Sequence, residues 1–464
     1  MSNEKVVIVE QDQTLPTGSA ISSDIVYIPG FASKTKKEYI KNPTLFTSVS
    51  DFESAFGKTP YQFATTDIGT AYKLDIKEGD SDKSYIMAKA LLNAGLPVLY
   101  ECFAANSLAT ESTSNSSSTQ TDLETEETIS STSTNAIKEL YDGVLNSFTR
   151  LQDLGEFNVK YITSGAYPMF FEGATEGETA SAKGTKNAKD PYPYADAQLK
   201  AAATRGDAVA IIDYAKGMDD TLSIADEASI YRKANGHFKE DDNSVFGAMF
   251  APYATYNLPD GDEVILPASF AYLISLATAI KTSPNWLAIA GVTRGAVPYI
   301  KKLECKPVLT NVIAENYQPK KGTSDNGISI NAITNINPYG LCIWGNRTLG
   351  AVDAKGTRAT NFLNIRNMIS DIKKLAYTTA HKLMFEQSSD ILWNKFKYGL
   401  SPLLKQLVSG NAISDYKIIK GTVNHNGEPL AKGELAAVIK IYPMYAIEYF
   451  DITVVVSDND VTVE

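Results

Sequence analysis

Residues 337–349 read NPYGLCIWGNRTL. Asn337, Pro338 and Gly340 open the run as a turn, a short apolar strand follows, and Trp344, Gly345, Arg347 and Thr348 close it. No histidine, acidic pair or second cysteine stands beside them. A tryptophan and an arginine held in such a strand suit architecture: Trp344 packs in a core, and Arg347 hydrogen-bonds backbone carbonyls.

Beyond this segment, Phe362, Ile365, Ile369, Ile372, Ala376, Ala380 and Leu383 recur at intervals of three and four, which predicts a long amphipathic helix. Arg366, Lys373, Lys374 and His381 fall off its apolar stripe and are expected at the surface. A second helix is expected to start with Ser401 as N-cap and Pro402 in its first turn, with Gly410 just past its end. DITVVVSDNDVTVE, 451–464, has strand composition.

Upstream, strands and helices alternate. DIVYIPGF (24–31) and LPVLYECF (96–103) read as strands, and DFESAFG (51–57) and SYIMAKALLNAG (84–95) as helices. From 136 the series continues with the helix AIKELYDGVLNSFTRL, the strand NVKYITSG, the helix DAQLKAAATRG and the strand DAVAIIDY. The apolar helix SFAYLISLATAI and a strand at NWLAIAG (285–291) follow. The expected fold class is α/β and α+β multidomain, with mixed sheets flanked by helices. The expected division is an N-terminal arm (1–24), a small α/β domain (25–104), an exposed insertion (105–135), a central α/β domain (136–335) and a C-terminal assembly domain (336–464). Within the insertion, 17 of the 28 residues 107–134 are Ser or Thr, five are acidic and none is basic, too little apolar surface for a core element. Lys5 to Val9 forms a short strand-like run on a Pro/Gly/Ser connector, and such a strand needs a sheet elsewhere.

Composition narrows the function. A chain of 464 residues with 44% hydrophobic and 21% charged residues is ordinary for a globular protein, which argues against general disorder. Its net charge of −11 argues against nonspecific nucleic-acid binding, yet residues 336–464 carry 14 basic against 12 acidic side chains, so the acidity lies upstream. Cys102, Cys305 and Cys342 are far apart and suggest neither zinc nor a disulfide framework. The start, MSNEKVVIVEQDQ, is too short in apolar length for a signal peptide, and no stretch approaches a membrane span. P-loop, GxGxxG, HExxH, GxSxG and EF-hand patterns are all missing, so neither catalytic residues nor a metal or cofactor are expected.

The opening segment resembles the stretch leading into the C-terminal domain of contractile tail sheath proteins, from phage tails, R-type bacteriocins and contractile injection systems. In that family a strand carries W-G-x-R-T, as Trp344, Gly345, Arg347 and Thr348 do here. TNFLNIRNMISDIKKL (360–375) stands where the family has an arginine-containing helix, and FEQSSDILW (385–393) resembles its Phe-Glu-Pro-Asn turn, with Gln387 and Ser388 where Pro and Asn are usual. Further blocks are NPTLFTSVSDFESAFG (42–57), MAKALLNAGLPVLYECF (87–103), RGDAVAIIDY (205–214), APYATYNLPDGDEVILPAS (251–269) and AGVTRG (290–295). Their order along one chain is more specific than any one of them.

The resemblance implies a structural subunit that polymerises helically around an inner tube in a metastable extended state, then contracts to drive the tube through a cell envelope. The implied partners are further copies of the chain, an inner tail tube protein, and baseplate and tail terminator proteins, with no direct nucleic-acid contact and no membrane insertion. The implied location is a phage tail or injection particle, assembled in the bacterial cytoplasm. The same resemblance makes Arg366, Lys373 and Lys374 tube-facing. It makes Val6, Val7, Ile8, Val9 and Ile452, Val454, Val456 terminal strands that add to neighbouring subunits' sheets. An α/β enzyme of unidentified activity and a surface-array or adhesin protein are the alternatives; a saturable activity would favour the first, and the Ser/Thr-rich insertion is the best feature of the second.

Overall fold

The computed structural model describes residues 24–63, 79–105, 136–166, 192–214, 243–259, 263–304, 329–350, 358–423 and 427–447. Both expected terminal strands and the stretch 107–134 lie outside the described residues.

The body is organised on one eight-stranded sheet. Its strands are β1 (Val26–Ala32), β2 (Thr44–Phe46), β3 (Val98–Ala105), β4 (Tyr161–Ile162), β5 (Val209–Asp213), β6 (Gly247–Ala251), β10 (Ile330–Ile336) and β11 (Gly340–Trp344), in the spatial order β11-β10-β6-β5-β4-β1-β3-β2. The six inner strands run parallel, and an antiparallel strand closes each edge. Parallel strands covered on both faces need continuous apolar sequence rather than alternation, and VYIPGFA and VAIID are buried at every position.

Each face has its own helices. Tyr27, Leu99, Ile162, Ile212 and Met249 pack with Val144 and Phe148 of α3 (Ala136–Arg150) and Leu199 of α4 (Tyr192–Arg205). On the opposite face Val26, Ile28, Tyr100, Ile211 and Phe250 meet α1 (Val49–Phe56), α2 (Lys83–Asn93) and α5 (Ala268–Ala279). Gly95 ends α2 at φ +88, a conformation that favours glycine, and the Leu96 amide donates back to Leu91 O at 2.9 Å. A smaller antiparallel sheet, β8-β7-β9, is built from β7 (Ala254–Asn257), β8 (Glu263–Leu266) and β9 (Ile300–Leu303). The stretches 25–104 and 136–335, read from the sequence as separate units, thus contribute strands to one sheet, because β1 takes β3 on one side and β4 on the other.

NWLAIAG is not a strand. Residues 285–290 turn after α5 and lead into the one-turn helix α6 (Gly291–Arg294), with the Leu287 amide bonded to Pro284 O and the Arg294 Nε to Ala288 O. Trp286 leaves the body and packs in the C-terminal core instead.

That core belongs to α7 (Leu363–Lys382), α8 (Asp390–Ser409) and the antiparallel pair β12 (Ile413–Lys420) and β13 (Ala437–Pro443). Ile365, Met368 and Ile372 of α7 interleave with Phe396, Leu400, Leu404 and Leu407 of α8, as the apolar stripe requires. α8 starts a full three turns before Ser401. Its N-cap is Ser389, whose hydroxyl accepts from the Leu392 amide at 3.2 Å, and Pro402 lies inside the helix. The carbonyl that Pro402 leaves without its amide partner belongs to Tyr398, which lies on the solvent side of the helix at 71% exposure.

Candidate functional site

The segment 337–349 is a splice between the body and the C-terminal module. Trp344 ends β11 opposite Ala332 and packs against the body core. After it, Asn331 receives the backbone on both sides of Arg347: its side-chain oxygen accepts from the Arg347 amide and its Nδ2 donates to Arg347 O, both at 2.8 Å. Thr348 is fully buried, its amide bonded to Asn361 O at 2.9 Å and its hydroxyl to Thr360 O at 3.1 Å. The Leu349 amide then reaches Gly247 O in β6, and the Leu363 amide reaches Asn346 O, so one short run is stitched to the sheet and to the start of α7. The Arg347 guanidinium lies 4.1 Å over the Phe362 ring, a cation–π contact.

The expected tube-facing cations are placed differently from the sequence reading. Arg366 is 3% exposed, donates to Gly206 O at 3.2 Å and lies over the Phe246 ring at 4.4 Å. Lys374 donates to Asn158 Oδ1, Val159 O and Asp207 Oδ2 at 2.8 to 3.0 Å. Only Lys373 has an exposed side chain, although its ammonium still lies 5.6 Å from the Phe246 ring. The reason is that α7 is covered on two sides: its apolar stripe meets α8, and its polar face docks on the end of the large sheet. Burial pushes Arg366 down to about 10, partly offset by Asp207, and it lowers Lys374 with the same partial relief. Asp207 also takes Arg205 Nε at 3.0 Å, so these charges serve the subunit's own seam.

Three further members of this seam, Lys160, Asp24 and Asp371, carry no motif in the sequence. Lys160, beside β4, is wholly buried and pairs with Asp24 at 2.7 Å and Asp371 at 2.8 Å. Burial opposes its charge, but the two carboxylates outweigh that and hold its pKa above the ordinary lysine value. The available signal was a lysine between Val159 and Tyr161 in a strand-like run, which calls for a buried counter-charge.

The far side of the module is open. β12 and β13 pair only with each other among the described residues, so each has an edge of free backbone groups. Tyr416, Ile418, Ile439 and Ile441 turn toward the α8 core, while Ile419, Val438 and Tyr442 are 41 to 45% exposed on the other face. Lys417 stands directly opposite Lys440, a like-charge pair that weakens an isolated sheet.

Chemistry-bearing clusters are scarce. Among the described residues no group of three His, Cys, Asp or Glu could hold a metal ion, and no helix is long and apolar enough to cross a membrane. His381 is exposed and contacts the Tyr377 hydroxyl at 3.1 Å. The buried Asp213 accepts from the Ser269 amide at 2.6 Å and hydroxyl at 2.7 Å at the start of α5; burial pushes its pKa up to about 7 against the opposing pull of those bonds.

No family model matches the chain. Over 180 residues it is 19% identical to the tail sheath protein of Vibrio phage KVP40, a stretch that is 39% of this chain and about a quarter (25%) of that relative's length. Solved structures match over almost the whole chain. One from the anti-feeding prophage baseplate gives a TM-score of 0.57 at 13% identity, covering 98% of this chain and 99% of that one. The PVC sheath of an extracellular contractile injection system, in its contracted state, gives 0.55 at 14% identity, covering 98% of both. The contracted helical sheath of the anti-feeding prophage gives 0.53 at 14%, covering 98% and 99%. At these identities the likeness is one of fold, and the fold is that of contractile sheath proteins.

Proposed function

We propose that this protein is the repeating structural subunit of a contractile sheath, not an enzyme. Copies of it polymerise helically around an inner tube in an extended, metastable lattice, and on triggering slide into a shorter, wider one that drives the tube through a target envelope. No nucleotide is required if assembly stores the free energy in the extended lattice. The carrying observation is the β12–β13 pair, which has free edges among the described residues, on a fold shared with sheath subunits over 98% of the chain.

The terminal runs Val6–Val9 and Ile452–Val456 are the strands proposed to fill such edges in neighbouring copies. Charge supports this. Residues 448–464 carry five acids and no base, while the open sheet presents Lys417 and Lys440 side by side. The inner tube remains the proposed partner of the module's basic surface. Lys373 and the exposed α8 lysines Lys395, Lys397 and Lys405 supply that charge, rather than the engaged Arg366 and Lys374. Baseplate and terminator proteins at the ends of the polymer, and a particle assembled in the bacterial cytoplasm, belong to the same reading.

Electron microscopy of the purified chain tests the proposal. Tubes of uniform diameter are expected, in the contracted arrangement because it is the lower-energy lattice. A monomer that persists at high concentration across salt conditions would refute it.

A further inference from the structure

The two carboxylates on Lys160 come from distant parts of the chain. Asp24 directly follows residues 1–23 and precedes β1, while Asp371 sits in the middle of α7, which carries the C-terminal module. The lysine itself cannot shift to follow either one. Its amide donates to Ile25 O at 2.9 Å, and its carbonyl accepts from the Val209 amide at 2.7 Å. Asp371 also takes Asn285 Nδ2 at 3.2 Å, and the Tyr161 hydroxyl stands 3.5 Å from Asp24.

An ammonium in this position has lost its hydration, and that loss is compensated by both carboxylates together. Withdrawing either leaves the charge half-compensated, and water drawn in to hydrate it would also reach the bonds that fasten the other carboxylate.

We infer that Lys160 couples the attachment point of the N-terminal residues to the C-terminal helix, so that loosening Asp24 loosens α7 and loosening α7 loosens Asp24. Its role in assembly rests on the proposed use of the termini as links between subunits. A pull from a neighbour on residues 1–23 enters the body at Asp24. Through Lys160 it reaches the helix that carries the sheet where another neighbour's strand is bound. The two links of one subunit then communicate through a single side chain, and thermodynamic linkage makes that communication reciprocal.

Hydrogen exchange read by mass spectrometry on the full-length, unassembled subunit tests this. Asp24→Asn leaves the Lys160–Asp371 pair intact, and it should speed exchange of α7 amides in 366–378 by at least about fivefold. Asp371→Asn should do the same to amides in 25–32, and this reciprocal measurement stands alone if the first variant does not fold. Lys160→Arg, which can still reach both carboxylates, should keep both segments within about twofold of the parent. Unchanged exchange in the remote segment would overturn the coupling. Slower exchange there would overturn it too, because it would mean that the carboxylates compete for the ammonium. Microscopy of the parent chain concentrated under assembly conditions separates the two proposals: absent tubes count against the sheath reading, whereas tubes together with uncoupled exchange in the unassembled subunit count against this inference alone.

Discussion

The eight-stranded sheet and the two-stranded sheet obey the same backbone chemistry and reach opposite ends. In the first, every inner strand has a neighbour on both sides, and helices cover both faces. In the second, each strand has one neighbour among the described residues, and one face carries Ile419, Val438 and Tyr442 into solvent. A free edge is a liability in a monomer and a docking strip in a polymer. The difference teaches that the large sheet builds its parallel centre within one chain, whereas the small one, on the proposed reading, takes further strands from neighbouring copies.

The largest expected effect would break that contrast outright. Removing residues 1–12, or separately 452–464, should abolish polymerisation in sedimentation assays while circular dichroism and melting of the subunit stay unchanged. If either truncation also unfolds the chain, the terminal strands complete their own subunit's sheet, and the small sheet is not an assembly site.

The next effect belongs to the large sheet, where Asp213 at the end of β5 is buried. Because the Asp213 pKa is pushed up to about 7 from its ordinary 3.8, the folded protein holds a proton that the unfolded chain releases between those values. This contribution to stability is present in acid, falls as pH rises through the window, and is flat above it, a loss of about 4 kcal/mol. Urea melts at pH 4.5 and 8 should show Asp213→Asn removing that loss. A variant that tracks the parent at both pH values would mean that the carboxyl is ionised throughout.

A smaller effect compares the sheets by truncation. Ile211→Ala, at 0% exposure in β5, should lower unfolding free energy by about 2–5 kcal/mol. Ile418→Ala, only partly buried in β12, should cost less than about 1 kcal/mol in the monomer. Equal shifts in denaturant midpoint would show that the small sheet is as fully packed as the large one. The smallest is local: Ser389→Ala removes the α8 cap and should cost about 1 kcal/mol, read in the same melts.

Much of the body was legible because its physics is local. Continuous apolar runs marked β1 and β5, and the Gly95 stop and the spacing from Phe362 to Leu383 marked α2 and α7. What was misread depended on distant partners. Arg366 and Lys374 read as solvated charges in the sequence because polarity on a helix face says nothing about an acceptor 160 or 167 residues away, at Gly206 and Asp207. Lys160 escaped notice for the same reason, since its counter-charges stand 136 and 211 positions off. Pro402 suggested a helix start because its sequence cannot tell whether the carbonyl four residues back faces core or water.

The strand order also sets a schedule. β10 completes the parallel array by joining β6 after residue 330, and β11 seals that edge by residue 344. β12 begins only at Ile413. A ribosome adding about 5–20 residues per second leaves an interval of a few seconds between the two events. The body is therefore expected to close before the adhesive edges emerge, a sequence that protease resistance of nascent chains halted near residue 390 would register. On the proposed reading, neighbouring copies synthesised from one message would then meet as finished bodies whose β12–β13 edges are made last.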